Sequence, residues 1–233
     1  MLKDKLLEKI HKKLIVSCQA RVGWPMYGCD IMAAFAKAAE EGGAAGIRAT
    51  GADNISIIKE KVSLPIIGIN KKWVDGCDVY ITPTYESAKE ILEVGVDIIA
   101  LDATGRKRPN GETFESIVIK IRENYPQVGI MAEISTLEEA ENILSTAPDF
   151  ISTTLSGYTE ESKNINHVNI QLVRDISKIC DIPIIAEGKI KTADEAAEVL
   201  NAGAYAVVVG TSITRPEIIT SRYVKTIKEK VMS

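Results

Sequence analysis

Pro65–Trp73 reads PIIGINKKW. Ile66, Ile67, Gly68 and Ile69 make an apolar run of strand length with no polar residue alternating through it. A strand that is apolar on both faces must be covered on both faces, which is the condition of parallel strands in α/β proteins. The run then stops on Asn70 and Lys71 with no turn residue between. A cation hard against the end of a core strand is either solvent-facing punctuation or a working group, and the rest of the chain decides which.

Working outward, the same unit recurs. Strand candidates are LIVSCQ (14–19), AAGIRAT (44–50), LPIIGINK (64–71), DIIALDAT (97–104), VGIMAEIS (128–135), DFISTTLSG (149–157), IPIIAEGK (182–189) and YAVVVGTS (205–212). Between them lie helical patterns such as DIMAAFAKAAEEGG, TYESAKEILEVG, TLEEAENILSTA and TADEAAEVLNAG, several opening with Asp or Thr at an N-cap and closing with Gly. STLEEA and KTADEA place an acidic residue three after Thr, the capping-box spacing. Eight apolar strands alternating with helices predict an α/β fold of the (β/α)8 TIM barrel type. No linker or composition break divides residues 1–233, so one domain is expected, with an N-terminal amphipathic helix carrying Leu2, Leu6, Leu7 and Ile10. A doubly wound open sheet is the alternative, weakened by the missing G-x-G-x-x-G after the first strand.

The bulk properties narrow the function. The chain has 233 residues, 45% hydrophobic and 26% charged, with a net charge of -4. That balance lacks the basic footprint of a nucleic-acid binder. No apolar run has the length to span a bilayer, and the charged start is not a signal peptide. Cys18, Cys29, Cys77 and Cys180 form no C-x-x-C pair, which argues against a zinc site or a disulfide framework and for a reduced, cytoplasmic protein. The two histidines, His11 and His167, lie in the opening helix and a polar stretch and read as surface residues.

In a barrel of this type the chemistry gathers at the C-terminal ends of the strands. Here Gln19 ends the first strand candidate, Arg48 the second, Lys71 the third, Asp102 the fourth and Glu133 the fifth. Thr153 and Thr154 end the sixth, Glu187 the seventh, and Gly210 and Thr211 the eighth. Any one polar strand end is unremarkable. Ionisable residues at so many ends are not, because such groups rarely sit within apolar runs unless paired or functional. In AEGKIKTADEA and VVGTSITRPE, Gly188 and Gly210 stand shortly before helices, where free N–H groups bind phosphate. Arg215 adds a cation there, although Arg215-Pro216 also suits a helix start with proline in its first turn. Arg106, Lys107 and Arg108 form a basic cluster that is either a solvated loop or an attractor for an anionic substrate.

Taken in order, LIVSCQA, GIRATG, PIIGINK, VYITPT, IIALDATGRKRP, STTLSGYT, IIAEGKI and AVVVGTSITRP resemble the N-acetylmannosamine-6-phosphate 2-epimerases. The likeness runs from about Leu14 to Pro216. It implies a (β/α)8 barrel and a metal-independent, cofactor-free epimerisation at C2 of N-acetylmannosamine 6-phosphate, giving N-acetylglucosamine 6-phosphate. It also implies Lys71 and Glu187 as the acid/base pair. Gln19, Arg48, Asp102, Glu133, Thr153, Gly188, Gly210, Thr211 and Arg215 are then the candidate substrate-binding residues. A phosphorylated amino sugar is the expected partner, with no nucleic acid and no membrane, and a homodimer is compatible with the chain. Three places depart from the family pattern. Glu133 stands where Asp is usual, the third strand ends GINKKW, and the loop ARVGWPMYGCD follows the first strand.

The chemistry suits these residues. C2 of the open-chain sugar lies next to the aldehyde, so its proton can be removed from one face and one returned on the other. Lysine is a poor base as it stands, since holding it neutral at pH 7 costs about 4.6 kcal/mol from a reference pKa of about 10.4. Burial, or a nearby cation such as Arg48, lowers that cost. Gln19, Arg48 or the Lys71 ammonium would stabilise the enolate oxygen. Two rivals remain at this level: a Schiff-base aldolase with Lys71 as nucleophile, and a non-catalytic phosphosugar-binding protein.

Overall fold

The computed structural model describes residues 2–231, with side chains from residue 5 onward, so Leu2 lies outside the described side chains. The elements in chain order are α1 (Leu2–Ile10), β1 (Leu14–Cys18), α2 (Cys29–Glu41), β2 (Gly46–Thr50), α3 (Ala52–Lys61), β3 (Ile66–Ile69) and α4 (Tyr85–Val94). They continue with β4 (Ile98–Asp102), α5 (Phe114–Asn124), β5 (Gly129–Glu133), α6 (Leu137–Asn142), β6 (Phe150–Ser152), α7 (Ile170–Ile179) and β7 (Ile184–Glu187). The chain closes with α8 (Ala193–Asn201), β8 (Ala206–Val209), α9 (Thr211–Thr214) and α10 (Pro216–Val231). Every neighbouring pair of strands is parallel, and β8 pairs with β1, so the sheet is a closed (β/α)8 barrel and not an open sheet.

Alternation along each strand sorts the apolar residues into two cores. Ile15, Ile67, Ile69, Ile98, Met131, Phe150, Ile185 and Val208 pack together inside the barrel, and Leu6 and Ile10 of α1 join them. Their neighbours in sequence, among them Val16, Ile66, Ile99, Ile130, Ile151, Ile184 and Val207, face the helices. Gly68 marks where α4 comes closest. A Cβ there would lie 2.5 Å from Ile91 Cγ2 and 2.7 Å from Val96 Cγ1, so only glycine lets the strand and helix meet at this spacing.

Both expected capping boxes form. Thr136 and Thr192 accept from the backbone N–H groups of Glu139 and Glu195, and each glutamate accepts in return from the threonine N–H. Asp30 sits inside the first turn of α2, whose cap is Gly28. The last helix departs from the expected pattern. The final helix of a (β/α)8 unit should cover β8 and β1, yet no side chain of α10 is buried, and Tyr223, Val224, Ile227 and Val231 are exposed. Among the described residues, no helix is long and apolar enough to cross a membrane.

Candidate active site

Inward parity carries each strand to a polar end. After Ile67 and Ile69, the next inward position on β3 is Lys71. After Ile185 on β7 it is Glu187. Arg48 lies beside Ile67 in the β2–β3 register. These ends open onto a cavity of about 610 Å³, whose lining includes Gln19, Arg48, Lys71, Tyr80, Thr154, Glu187, Gly188, Gly210, Thr211 and Arg215.

Lys71 is held from behind. Just past β3, it forms an antiparallel bridge with Ile81, and its backbone N–H donates to Thr50 Oγ1 at 3.3 Å. Asn70 faces the other way: Nδ2 donates to Ser87 O at 2.9 Å and to Glu90 Oε2 at 2.8 Å. Thr82 accepts from Asn70 N at 3.1 Å and donates to Ala100 O at 2.7 Å. Asn70, which departs from the family pattern, is therefore a splint for the lysine. Among the described residues, Lys71 Nζ makes no hydrogen bond. Burial, then the positive charge of Arg48, lowers its pKa to about 8, against the opposing pull of Glu187 and Glu133.

Opposite, Glu187 is fixed at both oxygens. Arg48 Nη1 donates to Oε1 at 2.8 Å, and Thr154 Oγ1 donates to Oε2 at 3.1 Å. Arg48 Nη2 donates to Glu133 Oε1, so one buried guanidinium ties β2 to β5 and β7. Burial pushes the Glu133 carboxyl up; Arg48 opposes this and the negative charge of Glu187 adds to it. Arg48 Nε, Glu133 Oε2 and Gln19 Oε1 are buried without a hydrogen-bond partner in the protein. Gln19 Nε2 donates to Ser17 Oγ at 2.7 Å.

The family described as "Putative N-acetylmannosamine-6-phosphate epimerase" matches residues 32–229. A relative from Caldanaerobacter subterraneus subsp. tengcongensis is 48% identical over 225 residues, covering 97% of this chain and 95% of its own. One from Listeria welshimeri is 46% identical over 224 residues, with 95% of each chain covered. Both carry the name "Putative N-acetylmannosamine-6-phosphate 2-epimerase". The solved N-acetylmannosamine-6-phosphate 2-epimerase from Clostridium perfringens is 45% identical, covers 95% of this chain and 96% of its own, and superposes with a TM-score of 0.91.

The chain belongs to this 2-epimerase family.

Within that family frame, the structure separates the predicted residues. Gln19, Arg48, Lys71, Glu187, Gly188, Gly210, Thr211 and Arg215 share the cavity. Asp102, Glu133 and Thr153 are not among its lining residues. Asp102 is buried and accepts from Thr104 N at 3.0 Å, Thr104 Oγ1 at 2.7 Å and Arg106 Nη2 at 2.6 Å. Arg108, itself buried, donates to the Asp102 carbonyl. The Arg106–Arg108 cluster is thus neither a wholly solvated loop nor an open anion trap, because two of its members pin the loop to Asp102. Thr153 donates to Glu187 O at 2.9 Å and accepts from Glu187 N at 3.1 Å. Its neighbour Thr154 shares the inward parity of Phe150 and Ser152 and reaches the cavity, so strand alternation was the available signal.

Gly188 lies five positions before the first residue of α8, with φ 107°. Gly210 caps the short α9, and a Cβ on it would lie 3.1 Å from Ser17 Cβ. Sequence reasoning passed over Arg21, Trp24 and Tyr80 as cavity residues. The first two lie in the loop whose wording departs from the family, and Tyr80 lies in the short β-branched run 79–82.

Proposed function

We propose that this chain interconverts N-acetylmannosamine 6-phosphate and N-acetylglucosamine 6-phosphate, with Lys71 and Glu187 moving the proton at C2. The observation that carries the residue assignment is the pairing of an unbonded, low-pKa Lys71 with a fixed Glu187 on strands four apart in a ring of eight. In one direction neutral Lys71 takes the C2 proton, the electron pair moves onto the aldehyde oxygen, and protonated Glu187 returns a proton to the other face. The reverse starts from the ammonium and the carboxylate. Both starting states hold the same number of protons, so the cycle balances. Arg48 and Gln19, which line the same cavity, are the proposed donors to the enolate oxygen. Gly188, Gly210, Thr211 and Arg215 are the proposed holders of the 6-phosphate.

One observation favours a second reading of the mechanism. Both Glu187 oxygens already accept hydrogen bonds, one of them from a guanidinium, so both are engaged within the protein. Lys71 would then remove and return the proton alone, and Glu187 would steer it electrostatically.

The overall reading is tested by following N-acetylmannosamine 6-phosphate by NMR in the presence of EDTA. Turnover is expected. The unphosphorylated sugar should be poorer by about two orders of magnitude in kcat/KM, the value of one or two charge-assisted hydrogen bonds. No turnover of the phosphosugar, or equal use of both sugars, would overturn it.

We also propose a homodimer. The apolar stripe of α10 has no cover, and a groove of about 370 Å³ lined by Leu14, Ala196, Ala197, Leu200, Val207 and Ile213 lies uncovered where a barrel's eighth helix belongs. Arg222, midway along α10, donates to Ser212 Oγ at 3.0 Å, and in the proposed dimer a second copy supplies the missing cover.

A further inference from the structure

The chain has two tryptophans, Trp24 and Trp73, on the loops after β1 and β3. They belong to one stack across the cavity mouth. Trp73 lies flat on Tyr80, with ring centroids 5.5 Å apart and planes 8° apart. The Arg21 guanidinium sits 4.9 Å from the Trp73 centroid and 5.5 Å from that of Trp24. The Arg215 guanidinium lies over the Trp24 ring, 3.6 Å from its centroid. Tyr80, Arg21, Trp24 and Arg215 all line the cavity.

The two cations are held mainly through their faces. Among the described residues, Arg21 makes no hydrogen bond or ion pair, and Arg215 makes one, from Nε to Glu217 Oε1 at 2.7 Å. A guanidinium lying over an aromatic ring keeps its in-plane N–H groups free for an oxyanion. Stacking also fixes the fork in advance, so less freedom is lost when an anion arrives.

We propose that Trp24 is a positioning residue for the anionic end of the substrate: its ring holds the Arg215 guanidinium over the cavity, with Arg21 braced beside it by Trp73. The proposal rests on the phosphosugar reading above and deepens it. It assigns a role to the loop after β1, where the wording of this chain departs from its family.

The test compares Trp24→Ala and Trp24→Phe with the wild type, using N-acetylmannosamine 6-phosphate and the unphosphorylated sugar. Loss of the close cation–π contact with Arg215, together with the more distant one with Arg21, should raise KM for the phosphosugar about 3- to 30-fold. The expected companions are kcat within about twofold, an unchanged Tm, no effect on the unphosphorylated sugar, and recovery in Trp24→Phe, which retains a ring face. In Trp73→Phe the remaining tryptophan is Trp24. Its emission should change saturably with inorganic phosphate, and the change should vanish when Arg215→Ala is added. An unchanged phosphosugar KM in Trp24→Ala, or equal losses on both sugars, would overturn the inference and leave Trp24 as loop packing. Equal use of both sugars by the wild type would instead sink the phosphosugar reading itself.

Discussion

Lys71 must be neutral to take a proton and charged to return one. At its ordinary pKa of 10.5 it would be neutral in about one molecule in 3,000 at pH 7, whereas at about 8 the fraction is about one in ten. The sign of the pH dependence separates the two mechanisms. If Lys71 and Glu187 act as a pair, the active free enzyme holds one proton between them. That proton is lost as pH rises through about 8, so kcat/KM falls above that pH. If Lys71 acts alone it must start neutral, and kcat/KM climbs to a plateau above about 8. The pair predicts the fall, and a plateau in a kcat/KM profile from pH 6 to 10 would contradict it. Lys71 was visible in the sequence because a charge closes an apolar run. The Arg48–Glu133–Glu187 triad was not, because those three residues meet only when the ring closes.

At the scale of the element, the end of β3 shows how a reactive side chain is made rigid. Parity sends Lys71 inward, while Asn70 ties the strand end to α4 through Ser87 O and Glu90. Asn70→Ala removes both side-chain hydrogen bonds that tie the strand end to α4, which should cost about 1–3 kcal/mol of stability. Because Lys71 is then less firmly placed, kcat should fall more than KM rises. Denaturant unfolding and steady-state kinetics on the same variant check both parts, and full stability with full kcat would show the splint to be dispensable. All eight strands were legible because each is a continuous apolar run, though each proves shorter than its candidate. The 79–82 segment was not assigned to any element. It is too short to announce itself, and it is ordered by Asn70 and Lys72, whose N–H donates to Tyr80 O at 2.9 Å.

At the scale of the whole molecule, closure of the ring sets Lys71 and Glu187 on opposite walls of one cavity. The capping boxes and the apolar periods declared that architecture in advance. The path of α10 was not declared, since an apolar stripe looks the same whether it covers its own barrel or another. The proposed dimer predicts twice the mass of one chain in sedimentation equilibrium, and one chain's mass for both Ile227→Asp and Ala197→Asp. These two exposed positions lie on α10 and in the groove respectively. A monomeric wild type, or a dimer indifferent to either substitution, would contradict it. The central claim, proton transfer at C2 by two groups, is met most directly by turnover of N-acetylmannosamine 6-phosphate in deuterium oxide, read by NMR at C2 before the first pool of substrate is consumed. Two groups on opposite faces predict product carrying solvent deuterium from the first turnover, and no epimerised product from Lys71→Ala. Early product that retains the substrate's own C2 hydrogen, or epimerisation that persists without Lys71, would contradict the account.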